Sequence, residues 1–391
     1  NICLIHKGMM KYDFIMFGGT GLQGRICARD LLESGYSVMI AGRDKSAVKN
    51  LLKNKKAIFI EVDLRDQNSI IRAIKKSGAD IVINCAELVF NIPIMKACLV
   101  TERSCTDLGG LQSVTKEQFK LHKKFKKKGI LNITGCGSTP GITNVMASYA
   151  IKLFDKVDTI YLGFAWNSNM KTFVIPYSIQ SIFNEFTESP VILFRGKFIK
   201  TNRMRCQGTF DFKEVGMQTV YCIVHSEVFT FYRYFKNKGL QNVDYMAGFP
   251  VHSFTVIKSL MDLGFNSETP LEIEKVKIKP VDFASRILKR IQIPKNYREV
   301  ENIWLIMEGT KNKKPKKTEM NCIVKTLRGW ESAGSNIDTG RTISVISQML
   351  KEGIIKEKGV HAPERVVPYK EFFREIAKRK MYVYLNNKKI N

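Results

Sequence analysis

Gly18, Gly21 and Gly24 recur at every third position of the run Gly18-Gly19-Thr20-Gly21-Leu22-Gln23-Gly24. Residues of this type at this spacing let bare backbone approach a pyrophosphate. Gly18 would allow a tight turn, Gly21 a close approach to phosphate, and Gly24 a close approach of helix to strand. A helix opening at that point would add unsatisfied N–H groups and a partial positive charge. An ordinary glycine-rich turn is the competing reading, and the flanking elements weigh against it. Asp13 to Phe17 is a short apolar run of buried-strand character. The stretch from Leu22 to about Ser34 places Leu22, Ile26, Leu31 and Leu32 near helical spacing before Gly35 stops it.

The next expected strand, Ser37 to Ala41, ends in Gly42-Arg43-Asp44. An acidic residue at that end would hold the ribose 2′-OH of NAD, whereas a nearby arginine accommodates a 2′-phosphate. Gly42 followed by Arg43 therefore favours NADP, with NAD as the second choice. Asp44 could N-cap the following helix, and Arg43 could be a surface residue.

Strand and helix keep alternating through Ala57–Val62, a helix from Gln67, Asp80–Asn84, Ser104–Leu108 and Ile130–Ile133. Helices are expected near Pro93–Val100 and Thr115–Lys128. The fold class is α/β, a Rossmann-type doubly wound parallel sheet over residues 11–141. Ligands gather at the carboxyl ends of such strands, which nominates Asp63 for the adenine amino group and Asn84, Cys85 and Ala86 for the nicotinamide ribose. Asn84 could equally be a turn-former.

At 391 residues a second domain is expected, and 44% hydrophobic with 25% charged residues suits a globular enzyme. Nine cysteines without a paired motif read as reduced thiols and no zinc site. The mildly apolar residues 1–10 are too short to cross a bilayer and read as an extension, with Met9 or Met10 a candidate start. These features place the protein in the cytoplasm. The net charge of +27 would draw in phosphates and carboxylates. The lysine runs at 53–56, 123–128 and 311–317 carry no interleaved aromatic ladder, so they read as solvated faces rather than a nucleic-acid surface.

After the sixth strand comes Gly135-Cys136-Gly137-Ser138-Thr139-Pro140-Gly141-Ile142-Thr143-Asn144. This segment resembles the Pro-Gly-x-x-Asn crossing of the saccharopine dehydrogenase family, which includes saccharopine reductases and lysine 6-dehydrogenases. Ser181 to Lys197, Val220 to Arg233 with its His-x-Glu helix start, and Thr339 to Pro363 resemble three further family segments. Gly42-Arg43 departs from the acidic residue of lysine 6-dehydrogenases. Glu87-Leu88 departs from the Pro-Tyr pair of saccharopine reductases.

The resemblance implies a mixed α+β second domain over residues 142–336 that forms a substrate cleft and homodimer contacts, with residues 337–391 returning as helices to the first domain. It implies hydride transfer at a C–N bond of an amino acid or imine, with saccharopine, lysine or a carboxylated polyamine as the substrate class. Carboxylate substrates call for arginine, whose planar fork pairs bidentately. Arg233 and Arg341 lie in the similar segments, and Asn144 joins them as a substrate-binding candidate; an ion pair is the competing role for each arginine. Asp107 and His225 are the candidate proton-transfer residues, against a turn anchor and a backbone-bonded histidine. Tyr232 and Lys236 match the Tyr-x-x-x-Lys pair of short-chain dehydrogenases but fall in the wrong domain. A non-catalytic NADP-binding regulator is the alternative of another class.

Overall fold

The computed structural model describes residues 11–173, 179–187, 189–202, 206–288, 290–291 and 294–391, so the expected extension at 1–10 lies outside the described residues. Two compact units emerge, one comprising the chain up to Gly141 with Thr339–Phe372, the other Ile142–Asp338 with Phe373–Asn391.

The first unit begins β1 (Phe14–Phe17), α1 (Leu22–Glu33), β2 (Val38–Gly42), β3 (Ala57–Glu61), α2 (Gln67–Ser77), β4 (Ile81–Asn84), α3 (Asn91–Thr101), β5 (Ser104–Asp107), α4 (Gln112–Lys120), α5 (His122–Lys127) and β6 (Leu131–Thr134). The strands are short apolar runs that a sheet covered on both faces can bury; all four residues of β1 are buried. Local signals bound the helices. The Asp66 carboxylate accepts from the Asn68 amide at 2.8 Å to open α2, and Gly78 closes it at φ 61°.

The second unit holds α6 (Ile142–Ala150), β7 (Lys156–Ser168), α7 (Ile179–Thr187), β8 (Val191–Phe194), β9 (Lys197–Lys200), β10 (Gln207–Phe212), β11 (Gly216–Cys222), α8 (Glu227–Phe235), β12 (Asn242–Gly248), α9 (Val251–Asp262), the small pair β13 (Leu271–Ile273) and β14 (Val276–Ile278), α10 (Pro280–Leu288), β15 (Glu299–Lys311) and β16 (Lys314–Lys325). The lysine-rich run at 311–317 is a hairpin tip, where Asn312 and Lys313 take φ of 51° and 62° between β15 and β16.

The chain then runs through α11 (Ile337–Lys351), β17 (Gly359–His361), α12 (Pro363–Val366), α13 (Tyr369–Lys378), β18 (Tyr382–Leu385) and β19 (Lys388–Lys389). The first sheet is seven-stranded in the order β17-β6-β5-β4-β1-β2-β3. Its pairings are all parallel, with β1 flanked by β2 and β4. The order reverses between β1 and β4, the place where such sheets open a ligand crevice.

The second sheet is ten-stranded, running β10-β11-β12-β7-β15-β16-β18-β19 with β8 and β9 branching from β12. Ala165, Phe212, Val215, Val220, Cys222, Met246 and Trp304 form a core cluster of this unit.

Two expectations need correction. The C-terminal segment does not return whole to the first unit. Val383 is fully buried and β18 pairs antiparallel with β16, so residues 373–391 belong to the second unit and β18 and β19 extend its sheet. The cysteines are not all reduced thiols either. Cys206 and Cys222 face each other across adjoining strand ends, 5.4 Å apart at Cα, and are joined as a disulfide. No helix among the described residues is long and apolar enough to cross a membrane.

Candidate functional site

The glycine run leaves β1 and enters α1 as a tight cradle. Gly18 sits at φ 71°, and a Cβ there would meet the Ala86 amide nitrogen at 2.4 Å. A Cβ on Gly24 would stand 2.2 Å from the Gly18 carbonyl oxygen. Side chains are therefore excluded from the cradle, which leaves bare backbone that a phosphate could approach, and the helix starts directly against the turn. Gly21 is the N-cap of α1, and the first turn has neither a side-chain cap nor an acidic residue. Its N–H groups are oriented for an anion. Gly19 is buried under Ile40, Thr20 and Gln23 are half-buried, and Leu22 is exposed. The loop after β4 borders the same cradle through Ala86, while the Cys85 amide donates to the Phe17 carbonyl at 2.9 Å. These residues fit a dinucleotide.

At the end of β2, a Cβ on Gly42 would lie 2.6 Å from Thr20 Cγ2, so a longer residue collides unless the loop gives way. Arg43 is exposed beside it. Asp44 does what its alternative reading proposed and caps the next turn, accepting from the Ser46 amide at 2.9 Å. Asp63 is held at about 2 by its hydrogen bonds from the Arg65 side chain and amide, with Arg43 adding a smaller favourable field. Its carboxylate is thus engaged locally, at 2.8 Å from Arg65 Nη2, rather than open toward a base.

Asn84 is buried, its Oδ1 accepting from the Ala86 amide at 2.9 Å and its Nδ2 donating to Asn91 at 2.7 Å. It shapes the turn beside the cradle. Asp107 turns inward and is 2% exposed. Its oxygens accept from Gln118 Nε2 at 2.7 Å, the Gly109 amide at 2.9 Å, Thr134 Oγ1 at 3.0 Å, Asn91 Nδ2 at 3.3 Å and Asn132 Nδ2 at 3.4 Å. Burial pushes its carboxyl up to about 6 against those hydrogen bonds. A carboxylate so surrounded anchors the loop after β5; the geometry favours that role over proton transfer.

In the second unit, α8 opens with a buried ionisable pair. His225 Nδ1 makes a short hydrogen bond to Glu227 Oε2. The imidazole stacks on Tyr245 of β12, centroids 3.8 Å apart and planes 8° from parallel. Thr143 Oγ1 of α6 lies 3.0 Å from Glu227 Oε1 and 3.3 Å from Asn144 Oδ1. His225 is 6% exposed, and Glu227, Thr143 and Asn144 are 0% exposed. The fold thus joins His225 and Asn144 through residues that sequence reasoning did not assign. The His-x-Glu spacing carried the signal for Glu227. Tyr245 had none, because only pairing of β12 with β7 and β11 brings it there.

The two arginines part company. Arg341, on α11 in the first unit, is 7% exposed and pairs with Asp30 of α1 at 3.4 Å and Glu33 at 4.0 Å. It is spent on fixing α11 to α1, which is the ion-pair role weighed against a substrate clamp. Arg233 is exposed in the last turn of α8, about 12 Å along the helix from His225 at 1.5 Å per residue. With Phe198, Phe229, Tyr232, Tyr234 and Lys236 it lines a surface groove of about 560 Å³. His225 does not line it.

Comparison with known proteins agrees with this architecture. The family model for the saccharopine dehydrogenase NADP binding domain matches residues 14–133, and that for the saccharopine dehydrogenase C-terminal domain matches residues 137–381. A carboxynorspermidine synthase of Vibrio alginolyticus is 26% identical over 250 residues, 59% of this chain and 57% of that protein's length. A carboxyaminopropylagmatine dehydrogenase of Synechocystis is 21% identical over 373 residues, 90% of this chain and 93% of that protein. Apo saccharopine dehydrogenase (L-Glu forming) from Saccharomyces cerevisiae superposes with a TM-score of 0.73 at 14% identity, covering 97% of this chain and 99% of that one, a likeness of fold. The chain belongs to the saccharopine dehydrogenase family of oxidoreductases, with a nicotinamide-dinucleotide domain in its first unit.

Proposed function

We propose that the protein is an NADP-preferring oxidoreductase that transfers hydride at a carbon–nitrogen bond of a carboxylated amine. The observation that carries the cofactor preference is the end of β2, where Thr20 fills the space an acidic side chain at Gly42 would need and Arg43 stands next to it. Both relatives above are named for a carboxylated polyamine or an aminopropyl guanidine, and either product has the connectivity of an imine reduced to a secondary amine. That favours a diamine or guanidino-amine joined to an amino-acid aldehyde over saccharopine itself.

In this reading the glycine cradle binds the pyrophosphate, the first turn of α1 neutralises part of its charge, and Arg43 pairs with the 2′-phosphate. The bound nicotinamide supplies or accepts the hydride. His225 moves the proton at nitrogen, Nε2 being the ring atom that Glu227 leaves available. Asn144 lies in the same cluster, and Arg233 is the remaining arginine candidate for the substrate carboxylate. The second unit carries exposed apolar residues on its β8–β9 edge, Phe194, Phe198 and Ile199, which support homodimerisation through that unit. A cytoplasmic setting belongs to the same reading.

The test is oxidation of NADPH and NADH with a panel pairing amino-acid aldehydes with diamines, guanidino-amines and amino acids. Turnover with a diamine or guanidino-amine and a lower KM for NADPH is expected. Absence of turnover with every pair would leave a regulator that binds NADP, and equal use of NADH would remove the role of Arg43.

A further inference from the structure

We infer that Glu227 is the positioning residue that makes His225 a proton carrier, an inference that rests on the role given to His225 above. A carboxylate with no exposure carries a desolvation cost of several kcal/mol unless a cation or several donors meet it. Among the described residues no lysine or arginine pairs with Glu227. Its described partners are His225 Nδ1, Thr143 Oγ1 and Ser226 Oγ. The one partner that can become a cation is His225. The carboxylate is therefore the group that faces any positive charge the ring takes on.

The same contact selects the tautomer. An N–H at Nδ1 donates to Glu227, so Nε2 is left as the atom that gains and loses the exchangeable proton. The ring cannot rotate away, because Tyr245 covers its face and Thr143 fixes the second carboxylate oxygen from another helix. Among the described residues, the ionisable groups in recorded contact with the ring are Glu227 from α8 and the Tyr245 phenol from β12; Thr143 and Asn144 of α6, which meet Glu227, do not titrate. This is the arrangement by which a carboxylate orients a histidine acid–base in unrelated enzymes.

Bound reduced nicotinamide would supply the hydride to the imine carbon. The carbon–nitrogen π pair would then move to nitrogen, which would take the proton from His225 Nε2. An imidazolium becomes a neutral imidazole that keeps its Nδ1 proton on Glu227. Water restores the Nε2 proton before the next turnover, and amine oxidation runs the same transfers in reverse.

The test uses the full chain with ¹⁵N-labelled histidine, of which there are five, and His225→Gln to assign the signal. In Glu227→Gln the His225 ring should lose its fixed tautomer, its two ring ¹⁵N shifts moving from the Nδ1-protonated pattern toward those of a mixture, since an amide can donate to Nδ1 as readily as accept from it. In Glu227→Asp the Nδ1-protonated pattern should persist. With the best pair of the substrate panel, kcat should fall about 100-fold in Glu227→Gln and recover in part in Glu227→Asp, with KM for NADPH unchanged. Identical His225 ring ¹⁵N shifts in wild type and Glu227→Gln, or wild-type kcat in a folded Glu227→Gln, would overturn the inference. Wild-type kcat in His225→Gln, with the tautomer change in Glu227→Gln intact, would instead refute His225 as the proton carrier while leaving the coupling real.

Discussion

Thr20 closes the space above Gly42: its Cγ2 would lie 2.6 Å, and its Oγ1 2.8 Å, from any β-carbon placed there. The two residues come from different loops of the first unit, after β1 and at the end of β2, and together they limit the side chain that position 42 can carry, where the proposed cofactor's adenosine ribose would lie.

The first prediction follows from that contact. Arg43→Asp should raise KM for NADPH by 10-fold or more, the loss of one charge-assisted phosphate contact worth about 1.5–3 kcal/mol, and shift preference toward NADH. Gly42→Asp alone should impair both cofactors, because its carboxylate can be accommodated only by displacing Thr20. Adding Thr20→Gly should recover NADH use. Steady-state constants for the two cofactors check this, and a Gly42→Asp variant that gains NADH activity without the second change would refute the steric argument.

Asp107 makes stability depend on pH with a defined sign. Its carboxyl is raised from 3.8 to about 6, chiefly by burial, so the folded chain binds this proton more tightly than the unfolded chain. The resulting stabilisation is complete below about pH 4 and is lost as pH rises through about 6, a change of up to about 3 kcal/mol. Asp107→Asn has no such proton. Its stability deficit relative to wild type, measured by urea denaturation at fixed pH values, should therefore shrink between pH 4 and 7. A deficit that is flat across this range would show that Asp107 does not titrate there.

The first unit was largely legible from sequence because its signals are local. Apolar runs such as Phe14–Phe17, the caps at Asp66 and Gly78, and the glycines at 18, 21 and 24 each act within a few residues. The second unit was less legible because its sheet is assembled from distant pieces. Asn242–Gly248 has a weak strand pattern of its own yet lies between β7 and β11, and Tyr382–Leu385 joins a strand that ends at Lys325. The site followed the same rule. The glycine cradle could be named residue by residue, whereas Arg341 could not be told from a substrate ligand until Asp30 was seen opposite it.

Arg341 should therefore behave as a structural residue. Asp30 is 3% exposed and also receives hydrogen bonds from Ser344 at 2.7 Å and Gln348 at 3.4 Å. Removing the guanidinium leaves a buried carboxylate without its cation, so Arg341→Ala should cost about 3–5 kcal/mol. The double variant Arg341→Ala/Asp30→Asn should be more stable than Arg341→Ala, since the stranded charge is gone. Substrate KM in any folded variant should match wild type; a selective rise in KM would return Arg341 to the substrate site.

The cysteines report on both units at once. Cys27, Cys98, Cys105, Cys136 and Cys322 are buried, and Cys206 is bonded to Cys222, whereas Cys85 is half-buried where β4 meets the glycine cradle. Burial also raises the thiols of Cys105, Cys136 and Cys322, which keeps them from forming the reactive thiolate. Brief alkylation of the native protein should label Cys85 ahead of these buried thiols, and NADPH should protect it if the cradle that Ala86 borders is the cofactor site, as proposed. Non-reducing peptide mapping of the same sample should recover the segments around Cys206 and Cys222 as one cross-linked species. Labelling of Cys85 that is indifferent to saturating NADPH would place the nicotinamide end of the cofactor away from β4, and free thiols at both 206 and 222 would show that the sheet closes without its disulfide.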